Sequence, residues 1–286
     1  MLKQRIITAI VLLAILLPAV FHPAVQVFGL VTVALIAAGA WEWSKLNRGG
    51  SLASIGAAVV CAGMCIASWY FGLITAAPKV IWIVIGGGWV VLGAWLLHGG
   101  VAAWTNVHPV IRWCGGIVAL WAAWLAVVQA RIIGINFLFS VLVLVWVADI
   151  GAYFAGRAFG GRIFACKLAP TISPGKTWEG VCGGVVGVLV CAFVWQAWDV
   201  GGSASQASLY TRLGSHGIAF MVFVVLFLAM MSVVGDLLES LFKRSAGVKD
   251  SSNLLPGHGG VLDRVDALLP ILPLAMAFST SSLAIP

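Results

Sequence analysis

Charged side chains concentrate between residues 240 and 266, in a chain that is only 9% charged overall. This stretch holds four of the sixteen Lys and Arg and three of the nine Asp and Glu. Carboxylates hold hard cations, Lys and Arg neutralise phosphate oxygens, and glycines let backbone N–H groups approach a phosphate. The residue types therefore predict a metal–phosphate centre. Its members in this stretch are Lys243, Arg244, Lys249, Asp250, His258, Gly259, Gly260, Asp263, Arg264 and Asp266.

Helical spacing adds groups on either side of this loop. Asp236, Ser240 and Lys243 follow i, i+4, i+7, which puts a carboxylate, a hydroxyl and an ammonium on one helix face. Asp263 and Asp266 are predicted to begin the next helix. A solvated cytoplasmic loop is the plain alternative, but the positive-inside rule explains only cations. It leaves unexplained the five carboxylates of Asp236, Glu239, Asp250, Asp263 and Asp266.

A second polar stretch follows Trp146. Asp149 lies near the end of an apolar helix, where a carboxylate is costly, and it shares a helix face with Tyr153 and Gly156. Ser173 followed by Pro174 predicts a helix N-terminus whose N–H groups could bind an anion. The remaining polar groups of this stretch are Arg157, Arg162, Lys167, Lys176, Thr177 and Glu179.

The tetrapeptide PGKT in this stretch does not form a Walker P-loop. That motif needs a glycine five residues before Gly175, and Pro170 occupies the position. From the residues alone, two interpretations stay open, a phosphate-binding segment and a merely basic cytoplasmic loop.

The loop after residue 240 resembles the signature of the phosphatidate cytidylyltransferases, also called CDP-diacylglycerol synthases. That signature reads S-x-x-K-R-x4-K-D-x-S-x2-L-P-x-H-G-G-x-x-D-R-x-D, and the chain matches it from Ser240 to Asp266. The second stretch is similar to the family's D-x-G-A-Y-F-x-G-R and S-P-x-K-T-W-E-G pair. One departure is Ile150, where relatives often have Ser or Thr.

The resemblance implies transfer of CMP from CTP to phosphatidate, which gives CDP-diacylglycerol and pyrophosphate for phospholipid synthesis. It implies Mg²⁺ as cofactor, with room for a second cation, and Asp236 and Asp263 as the main ligands. Glu239 and Asp266 are supporting ligands. The candidate catalytic residues are Asp236, Asp263, Lys243, Arg244, Lys249, Asp250, His258 and Arg264. The candidate substrate-binding residues are Asp149, Ser173, Lys176, Thr177, Glu179, Ser240, Gly259 and Gly260.

Two roles are open for His258, an acid near the pyrophosphate or a hydrogen bond that shapes the loop. Two rival functions are also kept. A CTP-dependent lipid-alcohol kinase would need Mg²⁺ and basic loops, but it would release CDP. A transporter would place carboxylates near the membrane midplane, whereas here they are predicted at helix ends.

Composition sets the fold class, an all-α polytopic membrane protein. The chain of 286 residues is 62% hydrophobic, with a mean hydropathy of +1.09, and apolar runs of spanning length must be helices. We divide it into an N-terminal scaffold with lipid access (1–144) and a C-terminal catalytic region (145–286). The nine predicted helices cover residues 6–21, 24–42, 53–71, 79–97, 112–130, 132–155, 179–198, 216–241 and 265–284.

Charge predicts the orientation. With a cytoplasmic N-terminus and an outside C-terminus, thirteen of the sixteen Lys and Arg lie inside, and only Lys79, Arg131 and Arg212 lie outside. Both polar stretches would then face the cytoplasm, at a bacterial-type inner membrane. The net charge of +7 is spread over short loops, which favours anionic lipids over nucleic acid as a partner.

Two further features allow two interpretations each. The pattern of Gly180, Gly183, Gly184 and Gly187 is typical of close helix packing and also of a dimer face, and the resemblance implies a homodimer. Glu42, beside Trp41 and Trp43, is either an anchor at the membrane interface or a residue that lines the site.

Overall fold

The computed structural model describes residues 2–203 and 206–279. Its helices are α1 Leu2–Phe21, α2 Val25–Leu46, α3 Ser51–Tyr70, α4 Leu73–Ala76, α5 Lys79–Asn106, α6 Pro109–Ile133, α7 Ile135–Phe159, α8 Trp178–Trp198, α9 Leu209–Gly214, α10 Ile218–Ala246, α11 Leu262–Val265 and α12 Leu268–Ser279. A π-helical turn, Asp199–Ser203, follows α8. The strands are β1 Lys167–Ala169 and β2 Ser173–Thr177.

Eight of these helices are long and apolar enough to cross a membrane, namely α1, α2, α3, α5, α6, α7, α8 and α10. This confirms the all-α polytopic class and each of the first eight predicted helices. The ninth prediction, 265–284, begins late as α12 at Leu268, and its residues from 280 onward lie outside those described. A short turn of helix, α11, contains Asp263.

Helix α6 lies at the centre of the bundle. Five consecutive side chains, residues 122–126, are at most 3% exposed, and a helix is buried on all sides only when neighbours surround it. The Trp124 indole in this run donates to the Gly29 carbonyl of α2, 3.1 Å away. Helix α1 contrasts with it, because Ile6, Ile7 and Ile10 are each more than half exposed.

Close packing of α7 on α8 determines where the second polar stretch lies. A Cβ on Gly184 would be 2.7 Å from the Ala148 carbonyl oxygen, and one on Gly151 would be 2.8 Å from that of Gly183. The glycines of α8 are thus used inside the chain, as close helix packing. A homodimer stays a prediction that this face does not support.

One local prediction is wrong. Ser173 and Pro174 do not begin a helix but lie in β2, which pairs antiparallel with β1. The helix begins five residues after Ser173, and Thr177 is its N-cap, with Oγ1 accepting from the Gly180 N–H at 3.1 Å. Thr177 is also a favourable N-cap residue, but the prediction followed the Ser173-Pro174 pair, which is the stronger helix-start signal in the sequence.

Candidate functional site

The two polar stretches meet at one end of the bundle. Lys176 of β2 pairs with Asp236 of α10, with 2.5 Å between Nζ and Oδ2. On the same face of α10, the Ser240 hydroxyl lies 3.5 Å from Asp236 Oδ1. The predicted contact of Ser240 with Asp236 is therefore present, but the cation that neutralises Asp236 is Lys176 of the second stretch, 60 residues earlier in the chain, and not the predicted Lys243.

Lys243 joins α10 to α11. Its ammonium lies 2.5 Å from Glu239 Oε2 and 2.6 Å from Asp263 Oδ1, and all three side chains are at most 14% exposed. Two carboxylates around one buried ammonium satisfy its charge and much of its hydrogen-bonding capacity. This triad fixes the start of α11 against the end of α10.

Asp263 also organises the loop that precedes it. Its Oδ2 accepts from the N–H groups of Ser251 and Gly260, at 2.9 and 2.7 Å, and lies 2.9 Å from Ser251 Oγ. Burial opposes ionisation, but the Lys243 ammonium and these backbone N–H groups outweigh it and lower the pKa of Asp263 below its ordinary value. Both of its oxygens are thus engaged by protein donors.

Glu42 of α2 holds the same loop from the opposite side. It is fully buried, and its carboxylate lies 3.0 Å from the Val261 N–H nitrogen and 2.8 Å from that of Leu262. The hydroxyls of Ser251 and Ser252 are at 3.2 and 2.6 Å. The interpretation of Glu42 as an interfacial anchor is therefore wrong. Its position in the sequence, between Trp41 and Trp43, gave no sign of partners about 210 residues later in the chain.

Glu179 plays the equivalent part in the second stretch. Its Oε1 accepts from three backbone N–H groups, those of Gly161, Ile163 and Phe164, at 3.0 to 3.1 Å. The side chain is 4% exposed. Three N–H groups on one carboxylate oxygen make a loop anchor, so the structure places this predicted substrate-binding residue behind the loop rather than on its surface.

A polar cavity of about 450 Å³ lies between α7, α8, β2 and α10. Its lining carries both signs of charge, and it includes Gly156 and Gly180, at which α7 and α8 pack closely. The predicted face of α7 is confirmed, since Asp149, Tyr153 and Gly156 all line it. Ile150 does not line it, so the departure from the family pattern falls outside the cavity. The polar side chains that line it are Asp149, Tyr153, Arg157, Lys176, Thr177 and Asp236.

An apolar cavity of about 540 Å³ lies on the other side of α10, against α5 and α6. Aromatic side chains form much of its wall, among them Trp43, Trp89, Trp104 and Phe242. Three ionisable side chains stand along it, Arg112, Glu239 and Asp266. Partial burial, with the nearby charges of Asp236 and Asp149, raises the pKa of Asp266 to about 7.

The two cavities share one segment of α10, residues 235–239. Gly235 and Glu239 line the apolar cavity, whereas Asp236 lines the polar one. Successive residues of a helix point about 100° apart, so one turn can present carboxylates to two different spaces. A group entering from either side therefore reaches the same turn of helix.

The donor chemistry of this end suits a hard cation, although no preformed cage is seen. Across residues 2–203 and 206–279, no three His, Cys, Asp or Glu side chains converge on one point. Lys243 lies between Glu239 and Asp263, and Lys176 pairs with Asp236. The buried Oε1 of Glu239 nevertheless has no hydrogen-bond partner. Carboxylate oxygens are the ligands that Mg²⁺ prefers, so an unpartnered one beside Asp263 fits the predicted ion.

The remaining predicted residues lie at the rim. Arg264 donates from Nε and Nη2 to the His258 carbonyl, at 3.1 and 2.7 Å, and the Arg244 Nε lies 3.4 Å from the Ile172 carbonyl. Lys249 and Asp250 are exposed. Gly259 has φ of +80°, a backbone conformation that favours glycine. These groups surround the site, and the structure does not bring all of them to one point.

Sequence comparison relates the chain to known proteins. The model of the cytidylyltransferase family matches residues 3–282. A phosphatidate cytidylyltransferase of Pseudomonas aeruginosa is 39% identical over 287 residues, covering 97% of this chain and 96% of the relative. One from Haemophilus influenzae is 35% identical over 291 residues, or 96% of each chain. One from Brucella suis is 34% identical over 289 residues, with 97% and 93% covered. The chain therefore belongs to the cytidylyltransferase family.

Proposed function

We propose that the chain transfers CMP from CTP to phosphatidate, giving CDP-diacylglycerol and pyrophosphate, with its two substrates in the two cavities that meet at α10. The relatives are named for this activity. The observation that supports the arrangement is the shared segment 235–239, which borders a polar space on one side and an apolar one on the other. A water-soluble nucleotide and a lipid can therefore meet at one helical turn.

The polar cavity suits the nucleotide. Lys176, Arg157 and the Thr177 hydroxyl line it, and cations with hydroxyl donors are the groups that bind phosphate oxygens. In this arrangement Lys176 would exchange part of its contact with Asp236 for the triphosphate.

The apolar cavity suits the lipid. Its aromatic and aliphatic wall offers contact to acyl chains, and Arg112 can hold a phosphate at its polar end. The carboxylates of Glu239 and Asp266 would repel an isolated phosphate, and a bound cation would offset that repulsion. The proposed Mg²⁺ would lie at this end of α10, with Asp236, Asp263, Glu239 and Asp266 as its candidate ligands. Asp236 and Asp263 would then exchange part of their contacts with Lys176 and Lys243 for the ion.

The reaction is a displacement at phosphorus. A phosphate oxygen of phosphatidate bonds to the α-phosphorus of CTP, and the bond from that phosphorus to the α,β-bridging oxygen breaks, so pyrophosphate takes the electron pair. The monoester is already anionic near neutral pH, so no strong base is needed. Bound Mg²⁺ would neutralise phosphate charge. Lys176 and Lys243 add fixed positive charge, and the two cavities align the reacting groups.

The site is proposed to face the cytoplasm, where CTP is available. The charge distribution predicts this orientation, and the Lys176–Asp236 pair is consistent with both polar stretches lying on one side. Bacterial relatives favour the plasma membrane as the location. Membrane lipids would surround the exposed apolar faces of helices such as α1.

The test is a product assay with purified protein in mixed micelles that contain phosphatidate, Mg²⁺ and CTP labelled in cytosine. We expect label in the lipid and one pyrophosphate released for each lipid labelled. Release of CDP with a phosphorylated lipid alcohol would instead show a kinase. Absence of CTP turnover with every lipid tested would contradict the proposal and restore the transporter interpretation.

A further inference from the structure

We propose that Glu42, in the N-terminal half, is a positioning residue that holds the loop 251–262 in the geometry required for cytidylyl transfer. This inference rests on the proposed function, because it assigns Glu42 a part in that reaction. It goes beyond the signature, since Glu42 lies outside both polar stretches and far from them in the chain.

The contacts of Glu42 reach both ends of the loop. Ser251 and Ser252 at its start contribute hydroxyls at 3.2 and 2.6 Å, and Val261 and Leu262 at its end contribute N–H groups at 3.0 and 2.8 Å. Each carboxylate oxygen thus faces one hydroxyl and one backbone N–H. A single side chain closes the loop.

The surroundings require a carboxylate of this size. Glu42 is 0% exposed, and it forms no ion pair with any Lys or Arg in the described ranges, so hydrogen bonds alone compensate its burial. A Cβ on Gly260 would lie 2.5 Å from Glu42 Oε1 and 2.0 Å from Ser251 Oγ. The loop therefore wraps the carboxylate without spare room.

A continuous set of contacts leads from Glu42 to the reaction site. Ser251 Oγ lies 3.2 Å from Glu42 and 2.9 Å from Asp263 Oδ2. Asp263 pairs with Lys243, and Lys243 pairs with Glu239, which borders the apolar cavity. A displaced loop would move Asp263 and Lys243, the groups proposed to hold metal and phosphate.

The inference predicts a specific kinetic effect. None of the residues 251–262 lines the polar cavity, so a displaced loop should lower kcat and leave CTP binding intact. In Glu42→Gln, the amide would present N–H groups to donors that need an acceptor. We expect kcat to fall by about tenfold to a hundredfold, because small displacements of reacting groups have effects of this size.

The matched control is Asp199→Asn. Asp199 is also a buried carboxylate that anchors a loop, with Asn136 Nδ2 at 2.9 Å and the Ser208 N–H nitrogen at 3.0 Å. It lies at the opposite end of the bundle from the site. If a lost anchor only destabilises the fold, both variants should lose activity in proportion to their folded fraction.

The experiment measures kcat, the KM for CTP and hydrogen–deuterium exchange of the peptide that contains Val261 and Leu262, on full-length protein in detergent. We expect Glu42→Gln to show faster exchange, lower kcat and a KM for CTP within about twofold of the original. Asp199→Asn should keep its kcat per folded molecule. An unchanged kcat in Glu42→Gln, or an equal loss in Asp199→Asn, would overturn the proposal.

A milder variant keeps the test decisive if Glu42→Gln does not fold. Ser252→Ala removes one donor to Glu42, and the acceptor of the Leu254 N–H, but leaves the carboxylate in place. We therefore expect kcat to fall less, by about threefold to tenfold. An unchanged kcat in that variant would overturn the proposal. If the unmodified protein shows no CTP turnover, the proposed function fails, and exchange alone decides whether Glu42 holds the loop.

Discussion

The two polar loops of this protein are each held by a buried carboxylate, but the carboxylates come from different distances in the sequence. Glu179 binds N–H groups 15 to 18 residues before it, within the same hairpin region. Glu42 binds groups 209 to 220 residues after it. The first loop is therefore a local unit, whereas the second forms only when the N-terminal half has packed against α10 and α11.

This difference separates the roles of the two loops. The local loop borders the polar cavity, with Lys176 and Thr177 at its far end, so its distortion should affect CTP binding. The long-range loop ends in Asp263, beside Lys243 and Glu239, so its distortion should affect the chemical step. The following predictions test that separation, from the largest expected effect to the smallest.

Asp236 is where the two regions meet, so its replacement should damage both. We expect Asp236→Asn to lower kcat/KM by about a hundredfold to a thousandfold, because a fixed charge at a phosphoryl-transfer site has effects of this size. Turnover of labelled CTP into lipid is the measurement, with thermal unfolding in detergent as the check on folding. A kcat/KM above about one-tenth of the original would show that Asp236 is not central to the reaction.

Glu179→Gln should produce the opposite kinetic pattern from Glu42→Gln. Residues 161–164 do not line the polar cavity themselves, but they lead into the hairpin that carries Lys176 and Thr177 to it. Loosening them should raise the KM for CTP by about threefold to tenfold, as expected for weakened hydrogen bonds to a buried carboxylate, with kcat less affected. Steady-state kinetics with varied CTP measures it. If both variants lowered kcat alone, the distinction between the loops would be lost.

The loops should also differ in tolerance to a single methyl group. Gly260→Ala places a Cβ 2.0 Å from Ser251 Oγ, whereas no atom lies within 4 Å of a Cβ at Gly175 in the other loop. We expect Gly260→Ala to lower the free energy of unfolding by about 1–3 kcal/mol, as overpacking does. Gly175→Ala should change it by less than about 0.5 kcal/mol. Equal unfolding curves would show that the loop around Glu42 is not tightly packed.

Sequence patterns predicted the features that depend on residues close together in the chain. Apolar runs located the eight long helices because a membrane-spanning segment must satisfy its own backbone. The i, i+4 spacing placed Ser240 beside Asp236, and Asp149 and Tyr153 on one face of α7. The hairpin at Ser173 was missed because the Ser-Pro pair is a local helix signal, which pairing with Lys167–Ala169 overrides.

Long-range pairing could not be predicted. Lys243 was expected to share a helix face with Asp236, but in the structure it pairs with Glu239 and Asp263. Asp236 pairs instead with Lys176. Glu42 has no neighbour in sequence that signals its role. These contacts depend on which helices pack together. The apolar pattern identifies each helix as a membrane span, but it does not show which other helices that helix packs against.

The most direct test of the two-cavity account is a crossed kinetic measurement with Lys176→Met in the polar cavity and Gly88→Leu in the apolar one. Lys79→Met, at the opposite end of the bundle, and Gly87→Leu, outside the cavity lining, are the controls. The account predicts that Lys176→Met raises the KM for CTP by about tenfold and leaves the KM for phosphatidate unchanged. Gly88→Leu should raise only the KM for phosphatidate, by about threefold to tenfold. If both variants raised the same KM, the two substrates would not occupy separate cavities, and the account would be contradicted.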